Sequence, residues 1–336
     1  MKLDDVFIPQ KYYKVIVKTI TFNHSKYIQD TMNGVAMQIT NFPFVNIVLE
    51  DHSTDGEQDV IKLWLERECD MSLAEHYDIP TAEVIIVPHK SNRNCTFAVY
   101  FHKVNLFRQM EKREAQLYPW RYNSEYEALC EGDDYWTDSL KLQKLVDFWV
   151  ASPDYSFTSD RCMVFDEILN KWTEYNDVSD YENNKDGIII DFKYNKPITH
   201  TATLLFRIEA LSEYLKFVNN GGPSFDFILI YFLKKAGKGF SFNLNMSVYR
   251  LNMGGIYGKQ SVKTKLSQGY EAMKKLHSTE NNNITRKMYY SRYASIFVLS
   301  KGMILFQEDF EILKFLSICY YLPLKFVRLL KRKFLK

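Results

Sequence analysis

The strongest constraint on the fold of this chain is an alternation of short, β-branched apolar segments with segments of helical periodicity over the first 150 residues. This alternation is typical of a mostly parallel sheet with right-handed crossovers and helices on both faces. The expected class is therefore α/β. The predicted strands are Tyr13–Ile20, Phe44–Leu49, Glu83–Val87 and Tyr126–Cys130, and the predicted helices are Tyr27–Ile39, Gln58–Glu68, Phe97–Gln109 and Lys141–Val150.

The pattern becomes mixed after residue 150, and from Lys263 onward it is helical. We therefore predict two parts, an α/β domain over residues 1–256 and a C-terminal helical region over residues 257–336. Within the mixed part we predict strands, a polar surface loop and two helices. The strands are Tyr155–Phe165, Gly187–Phe192, His200–Phe206 and Met246–Arg250, the loop is 168–186, and the helices are Ile208–Val218 and Phe227–Lys235.

Charge and cysteine content exclude several classes of protein. The chain has 43 basic and 41 acidic residues, too balanced for nucleic-acid binding over the whole surface. Its five cysteines are scattered without a CxxC pair, which argues against a disulfide framework or a zinc site and favours reduced thiols in the cytoplasm. The N-terminal residues do not resemble a signal peptide, and the uncharged run Phe315–Leu324 is too short to cross a bilayer.

A dense acidic turn follows the fourth predicted strand. Glu131, Asp133 and Asp134 place three carboxylates within four residues, and Gly132 allows a sharp turn between them. Crowded carboxylates repel one another unless they share a cation. A hard divalent ion such as Mg²⁺ accepts carboxylate oxygens and is commonly completed by substrate phosphates. The turn is therefore predicted to anchor a diphosphate, and the alternative is a solvated turn that caps the next helix.

A second acidic turn follows the second predicted strand. Glu50 and Asp51 can accept hydrogen bonds from a nucleoside, because its ribose hydroxyls and base imide are donors. The following residues, 53–56, can equally form an ordinary helix cap. Ligands of such sheets bind at the carboxyl ends of the parallel strands. Both acidic turns are therefore expected at that edge.

Four segments together resemble the family 2 glycosyltransferases in order and spacing, over roughly residues 13–256. The resemblance implies a GT-A fold, a nucleotide-sugar donor with a UDP-sugar favoured, Mg²⁺ or Mn²⁺, and inversion at the anomeric carbon. It also implies a saccharide or glycolipid acceptor in polysaccharide or glycolipid assembly. The segments are Thr21–His24 with Tyr27-Ile28, Val48–Gly56, Glu131–Trp136 with Leu140–Gln143, and Met246–Arg250 with Gly254-Gly255.

The resemblance also implies roles for individual residues of the donor site. Thr21 and Asp51 would contact the nucleoside, with Asn23 and Glu50 beside them. Glu131 and Asp133 stand in the place of the family's DxD motif, with Glu131 where Asp is usual. Asp133 is the expected metal ligand, and Asp134 competes with it because the register of this loop is ambiguous.

Catalysis by inversion needs a base for the acceptor hydroxyl, and Asp226, just before a predicted helix, is the candidate. Its alternative role is a helix cap. Arg250 is expected to stabilise the departing nucleoside diphosphate. Many relatives carry His two residues later, where this chain has Asn252.

The loop after the third predicted strand contains two basic residues. Lys90 and Arg93 are predicted to approach the base or phosphate, with a solvated loop as the alternative. The seven His are scattered, and none is predicted to be a metal ligand.

The last twelve residues, 325–336, contain six basic and no acidic residues and have helical spacing. Such a helix can lie on an anionic membrane at the inner face of the plasma membrane, or it can pack with its charges toward solvent.

Two functions other than sugar transfer remain open for the chain. One is a nucleotide-sugar-binding protein without catalysis, and the other is a metal-dependent phosphate-ester hydrolase.

Overall fold

A computed structural model describes residues 11–107, 109–175, 178–181, 184–193, 200–252 and 261–299. The chain divides into two compact units. The first contains Met1–Lys216 and Leu229–Gly254, and the second contains Phe217–Ile228 and Gly255–Lys336. The domain boundary after residue 256 stays a prediction.

Strands within the described residues form one mixed sheet of twelve strands in the first unit. They are β1 (Tyr13–Thr21), β2 (Phe44–Glu50), β3 (Glu75–Ile79), β4 (Ala82–Pro88), β5 (Cys95–His102), β6 (Ser124–Leu129), β7 (Tyr135–Trp136), β8 (Tyr155–Asp166), β9 (Lys171–Glu174), β10 (Gly187–Ile190), β11 (Leu205–Arg207) and β12 (Lys238–Leu251). The helices are α1 (Ile28–Ala36), α2 (Glu57–Glu68), α3 (Met110–Ala115), α4 (Tyr118–Tyr122), α5 (Lys141–Ala151), α6 (Ser212–Asn219), α7 (Asp226–Ala236), α8 (Val262–Glu280) and α9 (Asn283–Leu299).

The centre of the sheet is parallel. Strands β6, β1, β2 and β5 lie side by side in that order and run in the same direction. Antiparallel strands flank them, with β4 and β3 beyond β5 and β11 beyond β6. The expected α/β class is therefore confirmed, and the sheet is mixed.

Helices cover both faces of the central strands because successive side chains of a strand point to opposite faces. On β1, Val15 and Val17 belong to a buried cluster that includes Met32 of α1 and Trp64 of α2. Ile16 belongs instead to a cluster with Trp120 of α4. The central strands are therefore packed between two hydrophobic cores, and this packing determines the position of their carboxyl ends.

The helix predicted at Phe97–Gln109 is wrong, because Cys95–His102 is the strand β5. All eight residues of β5 are buried, and a strand buried on both faces has no alternation that distinguishes it from a buried helix. Strand β4 then pairs antiparallel with β5, with Pro88 opposite Thr96. It is therefore not the third parallel strand that the alternation predicted.

Two other segments differ from the sequence prediction. The segment predicted as a loop, 168–186, contains the strand β9 and a short 3-10 turn at Val178–Tyr181. Only the end of the predicted strand His200–Phe206 is extended, since Thr201–Thr203 is a 3-10 turn before β11. Here His200 caps the turn by accepting a hydrogen bond from the Ala202 N–H. Local capping thus overrides the apolar pattern.

The second unit contains the described part of the predicted helical region, α8 and α9. Tyr270 and Tyr289 stack between these helices, and their hydroxyls are 2.9 Å apart.

Four of the cysteines lie within the described residues. Cys69, Cys95, Cys130 and Cys162 are buried free thiols. Cys319 and the basic segment 325–336 lie outside the described residues. In the part of the chain that the structure describes, no helix combines the length and apolarity needed to span a bilayer.

Candidate functional site

The candidate site lies at the edge of the sheet where the parallel strands end. Thr21, the last residue of β1, is paired with Glu50, the last residue of β2. On the other side of β1, Lys18 is paired with Leu129, the last residue of β6. The loops that follow β1, β2 and β6 therefore lie next to one another, as the sequence predicted for the two acidic turns.

Gly132 lets the acidic loop cross over the end of β1. Its N–H donates to the carbonyl of Ile20 at 3.0 Å, and a Cβ at this position would clash with the side chain of Thr21. From α1, the Thr31 hydroxyl lies 3.0 Å from the carbonyl of Gly132 and 2.6 Å from that of Asp134. Glu131 begins the turn, and its carbonyl accepts from the Asp134 N–H at 3.0 Å. Only glycine thus fits at the crossing point.

The two neighbouring aspartates of this loop have different environments. Asp134 has a side chain that is 2% exposed, and its Oδ1 accepts a hydrogen bond from the backbone N–H of Arg250 at 3.0 Å. Burial, with the charges of Asp133 and Glu131, raises the pKa of Asp134 well above its usual value. The Asp133 side chain is 17% exposed. The carboxylate of Asp133 is therefore more accessible to solvent than that of Asp134, and the choice between the two as a metal ligand stays a prediction.

Two further side chains lie beside the carboxylate of Asp133. The Nδ2 atom of Asn252 donates to Asp133 Oδ2 at 2.8 Å, and Nε2 of His24 lies 3.7 Å from the same oxygen. No group of three or more His, Cys, Asp or Glu side chains suited to a metal occurs among the described residues. A divalent ion bound at Asp133 would therefore need further oxygen ligands, such as those of a substrate diphosphate.

A buried glutamate that the sequence analysis missed holds these loops together. Glu57, the first residue of α2, accepts a hydrogen bond from the Thr21 hydroxyl. Its other oxygen accepts from the His24 backbone N–H at 3.0 Å and from the Ser53 hydroxyl at 2.8 Å. Burial raises the pKa of Glu57, and these hydrogen bonds oppose the rise. The sequence does not predict this role, because an acidic residue in the first turn of a helix is ordinarily explained by its favourable interaction with the helix dipole.

Asn23 and Glu50, both predicted at the donor site, organise the loop after β2. The backbone N–H of Asn23 donates to the Ser53 hydroxyl at 2.9 Å, and its side-chain oxygen accepts from the Thr54 N–H at 2.8 Å. Glu50 Oε1 accepts from the Ser53 N–H at 2.6 Å, and its Oε2 accepts from Gln58 at 2.5 Å. Both side chains therefore shape the loops around the site.

Asp51 is buried, and its Oδ1 holds the loop after β5. This oxygen lies 3.0 Å from Nδ1 of His102 and accepts from the Leu106 N–H at 2.6 Å. The other ring nitrogen of His102 lies 2.9 Å from Gln116 Oε1. Burial opposes ionisation of Asp51, but the hydrogen bonds from His102 and Leu106 outweigh it and lower the pKa. Asp51 is thus a stable carboxylate at the end of β2.

Arg250 is enclosed between two aromatic rings. Its guanidinium carbon lies 4.8 Å from the ring centroids of both Tyr27 and Tyr135, and Nη2 donates to Asp30 at 2.8 Å. Cation–π contacts and the ion pair hold the side chain rigidly. Arg250 is thus a fixed cation, and its backbone N–H is bound to Asp134 of the acidic loop.

His200 also lies beside the acidic loop, although the sequence gave no sign of it. Its Nδ1 is 3.6 Å from Asp134 Oδ2, and its ring stacks on Tyr249 with centroids 4.1 Å apart. Burial lowers the pKa of His200 to about 3, so the ring is neutral at physiological pH. It therefore adds no positive charge to the acidic loop.

Lys90 and Arg93 do not join this site, which corrects the prediction for both residues. They lie between Pro88 of β4 and Cys95 of β5, and Cys95 is paired with Phe44 at the start of β2. This is the opposite edge of the sheet, because β4 and β5 form an antiparallel pair. Lys90 instead donates to the carbonyls of Glu66 and Arg67 at the end of α2, at 2.8 and 2.7 Å.

Asp226, the predicted base, is the first residue of α7 and belongs to the second unit. The helix predicted at Phe227–Lys235 is thus present, with a carboxylate at its start. Its catalytic role stays a prediction.

No family model matches the sequence. Uncharacterized proteins of Mycobacterium bovis and Mycobacterium tuberculosis are 28% identical over 138 residues, which cover 41% of this chain. The chain spans only 32% of the length of these curated relatives.

Two solved structures resemble the fold over most of both chains. Staphylococcus aureus TarS 1-349 in complex with UDP-GlcNAc has a TM-score of 0.54 and 13% identity, over 92% of this chain and 79% of that one. The mannosyltransferase PcManGT from Pyrobaculum calidifontis, in complex with GDP-Man and Mn²⁺, has a TM-score of 0.52 and 13% identity, over 95% and 83%. The chain therefore shares its fold with TarS and with a solved mannosyltransferase.

Proposed function

We propose that this chain is a metal-assisted, inverting glycosyltransferase of the GT-A type that transfers a sugar from a nucleotide diphosphate to a saccharide or lipid-linked acceptor. The observation that carries the proposal is the convergence of the loops after β1, β2 and β6 on one edge of the sheet, with Asp133 facing His24 and Asn252. The fold shared with the two solved glycosyltransferases supports it.

The donor is proposed to be a nucleotide sugar whose base carries an imide N–H. Asp51 is a buried, ionised carboxylate whose Oδ1 is occupied by His102 and Leu106, so Oδ2 is the atom proposed to accept from the base. Uracil and guanine both have such a donor, and the two similar structures contain UDP-GlcNAc and GDP-Man. We favour a UDP-sugar, as the sequence resemblance implies. Thr21, Asn23 and Glu50 shape the pocket from the loops around it.

The diphosphate is proposed to bind at the acidic loop. A divalent ion held there by Asp133 would neutralise the charge that grows on the leaving diphosphate. Arg250 supplies a fixed positive charge beside this loop, held by Tyr27, Tyr135 and Asp30. Glu131, in the place of the first acid of the DxD motif, is proposed to lie near the ribose.

A screen of nucleotides tests the donor proposal. Ligands that bind only the folded state raise its melting temperature, so we expect UDP or a UDP-sugar to raise the Tm of the protein when Mn²⁺ is present and much less when it is absent. CDP and ADP lack the imide donor and serve as controls. A Tm that no nucleotide raises, with or without Mn²⁺, would contradict the proposal and favour the metal-dependent hydrolase.

Replacement of Asp226 by Asn tests the proposed base. Asn is nearly isosteric with Asp and keeps one side-chain oxygen, so the variant removes the base with little change at the start of the helix. We expect unchanged binding of nucleotide and loss of sugar transfer. Glu213→Gln, which changes an exposed carboxylate of α6, is the matched control and should remain active. An active Asp226→Asn variant would reject Asp226 as the base, and a wild-type chain that binds donor without turnover would favour the non-catalytic binding protein.

Association with an anionic membrane through residues 325–336 stays a prediction, because these residues lie outside the described part of the chain. Deletion of this segment should release the protein from anionic vesicles if the segment forms the contact. Vesicle binding that survives the deletion would leave the segment as a packing element.

A further inference from the structure

The turn between β8 and β9 exposes apolar side chains at one end of the sheet. Ile168 is 64% exposed, Leu169 is 69% exposed, and Trp172, in β9, is 49% exposed. Leu251, the last residue of β12, is also exposed, and its carbonyl accepts a hydrogen bond from the Glu167 N–H at 3.0 Å. These side chains therefore belong to one surface, which we call the apolar tip and which consists of Ile168, Leu169, Trp172 and Leu251.

The turn that carries the apolar tip has a defined structure. Asp166 Oδ1 accepts hydrogen bonds from the N–H groups of the first two residues of the tip, both at 3.0 Å. Asn170 has a φ of 46°, in the left-handed region that Asn tolerates in turns. The ring of Trp172 stacks on Phe165, with ring centroids 4.7 Å apart. The exposed side chains are thus held in place by the turn and by a neighbouring ring.

The acidic groups beside the apolar tip already have partners within the protein. Glu167 lies 3.3 Å from Nζ of Lys26 and accepts from the Tyr27 hydroxyl at 2.6 Å, and Asp166 binds the turn. Lys171 is exposed, and no acidic side chain of the described residues lies within ion-pair distance of its ammonium group. The surface around the tip therefore presents apolar groups together with a positive charge that is not compensated.

The arrangement of these side chains fits a lipid bilayer better than a protein partner. A stable protein interface covers about 800 Å² on each side, whereas the tip is a narrow turn beyond the last paired residues, Asp166 and Leu251. Its aliphatic side chains lie in the turn, and Trp172 and Lys171 follow in β9. At a bilayer, aliphatic groups favour the acyl chains, Trp favours the headgroup level, and Lys is attracted to anionic headgroups. The order along the hairpin is the same.

We propose that the apolar tip inserts into the surface layer of an anionic lipid bilayer. The inference goes beyond the proposed function and does not depend on it, and the surface is separate from the basic segment 325–336. Glu167 joins the hairpin to Tyr27, whose ring lies 4.8 Å from the guanidinium carbon of Arg250. A bilayer that takes up the tip is therefore held close to the candidate site, where it could present a lipid-linked acceptor.

Tryptophan fluorescence of the whole chain tests the insertion directly. The chain has five Trp, and Trp172 is the exposed one, since the others are buried. Vesicles of phosphatidylcholine with a minor share of phosphatidylglycerol, brominated on the acyl chains, quench a Trp that enters them. We expect quenching in the wild type and its loss in Trp172→Phe, which keeps an aromatic ring and should still bind the vesicles. The buried residues are Trp64, Trp120, Trp136 and Trp149.

Removal of the aliphatic side chains tests their contribution to binding. Ile168→Gln combined with Leu169→Gln should weaken vesicle binding in a sedimentation assay by about a hundredfold, or about tenfold for each side chain. Leu63→Gln combined with Leu73→Gln is the matched control, because these leucines are equally exposed on another part of the surface, and it should bind as the wild type does. Both double variants should keep the melting temperature and the nucleotide binding of the wild type, since the changed side chains are exposed.

Several outcomes would overturn the inference and leave the proposed function untouched. These are absence of vesicle binding, binding without quenching, quenching that survives in Trp172→Phe, and equal binding by the two double variants. Self-association of the wild type that Ile168→Gln with Leu169→Gln abolishes, without vesicle binding, would assign the tip to a second copy of the chain instead. Binding that is lost on deletion of residues 325–336 but kept in that double variant would assign the membrane contact to the basic segment alone.

Discussion

Two clusters of charged side chains lie in and just after β6, and they differ in whether basic residues balance their acids. The first, which we call the balanced cluster, consists of Lys18, Glu114, Arg121 and Glu127. The second is the acidic loop, Glu131–Asp134. In the balanced cluster Arg121 binds Glu127 at 2.6 Å and Glu114 at 2.8 Å, and Lys18 lies 3.6 Å from Glu127 and 3.5 Å from Glu114.

The pKa values of the carboxyls reflect this difference. Burial opposes ionisation of Glu114, but the charges of Lys18 and Arg121 outweigh it and lower the pKa to about 2. Burial also acts on Asp134, but there the nearby charges of Asp133 and Glu131 add to it, and the pKa rises. Arg250 only partly opposes this rise, and its side chain is shared with Asp30.

The comparison teaches that acidity alone does not mark a functional site. Equal numbers of acids and bases make the balanced cluster part of the folded framework. The acidic loop has more negative charge than its neighbours compensate, so it is suited to an added cation. Variants in the two regions should therefore affect different properties, stability in the first and ligand binding in the second.

The largest effect is expected for Arg121→Met in the balanced cluster. The change removes the cation that binds both Glu114 and Glu127, and loss of one partner of a buried ion pair costs about 3–5 kcal/mol. Urea unfolding measures the loss. Lys14→Met is the control, because Lys14 and Glu125 form an exposed pair that contributes about 0–1 kcal/mol. Equal losses in the two variants would remove the distinction between the regions.

The same cluster has a defined dependence on pH. Because the pKa of Glu114 is lowered from 4.5 to about 2 in the folded state, its contribution is fully present above pH 4.5 and is lost as the pH falls toward 2. Glu114→Gln should therefore lose less stability than the wild type over this range. Unfolding curves at several pH values check this, and identical slopes for both proteins would contradict it.

A change in the acidic loop should affect binding and leave stability intact. Asp133→Asn removes the exposed carboxylate that faces His24 and Asn252, so we expect Mn²⁺-dependent binding of UDP to weaken by at least about tenfold. The melting temperature without ligand should stay equal or rise, because the charge of Asp133 opposes ionisation of the neighbouring Asp134. Asp78→Asn, at an exposed site on β3, is the control. Retained metal-dependent binding would place the metal elsewhere.

Gly132→Ala should affect both properties to a smaller degree. The added methyl group would clash with Thr21, and overpacking of this kind costs about 1–3 kcal/mol. Displacement of the loop should also weaken nucleotide binding. Gly269→Ala is a matched control in α8, where the new methyl group would meet only the flexible end of Arg292 and should be neutral or stabilising. Calorimetry with and without UDP and Mn²⁺ measures both effects, and a fully stable Gly132→Ala variant would refute the clash.

The smallest effects are expected at the opposite edge of the sheet. Lys90→Ala removes a side chain that binds the last carbonyls of α2, which costs up to about 1 kcal/mol. Arg93→Ala should change stability by less than about 0.5 kcal/mol. Neither variant should alter nucleotide binding in a titration with Mn²⁺. A tenfold loss of affinity in either would return these residues to the site.

Most of the strand and helix order was predictable from the sequence, because periodicity and turn residues act locally. The acidic turns at residues 50–51 and 131–134 were also placed correctly, since each directly follows a parallel strand. The error at Phe97–Gln109 arose where local pattern is ambiguous, because β5 is buried on both faces and has no alternation. Because of that error, β4 was expected to be parallel to its neighbours, and Lys90 and Arg93 were expected at the wrong edge of the sheet.

The sequence by itself thus determined the α/β class and the positions of the two acidic turns after parallel strands. Only the tertiary structure decided which of two adjacent aspartates faces solvent, that Glu57 joins Thr21 to His24, and that His24 faces Asp133. The reason is physical. Burial and charge compensation depend on groups brought together from distant parts of the chain, whereas helix and strand periodicity depends on neighbours along it.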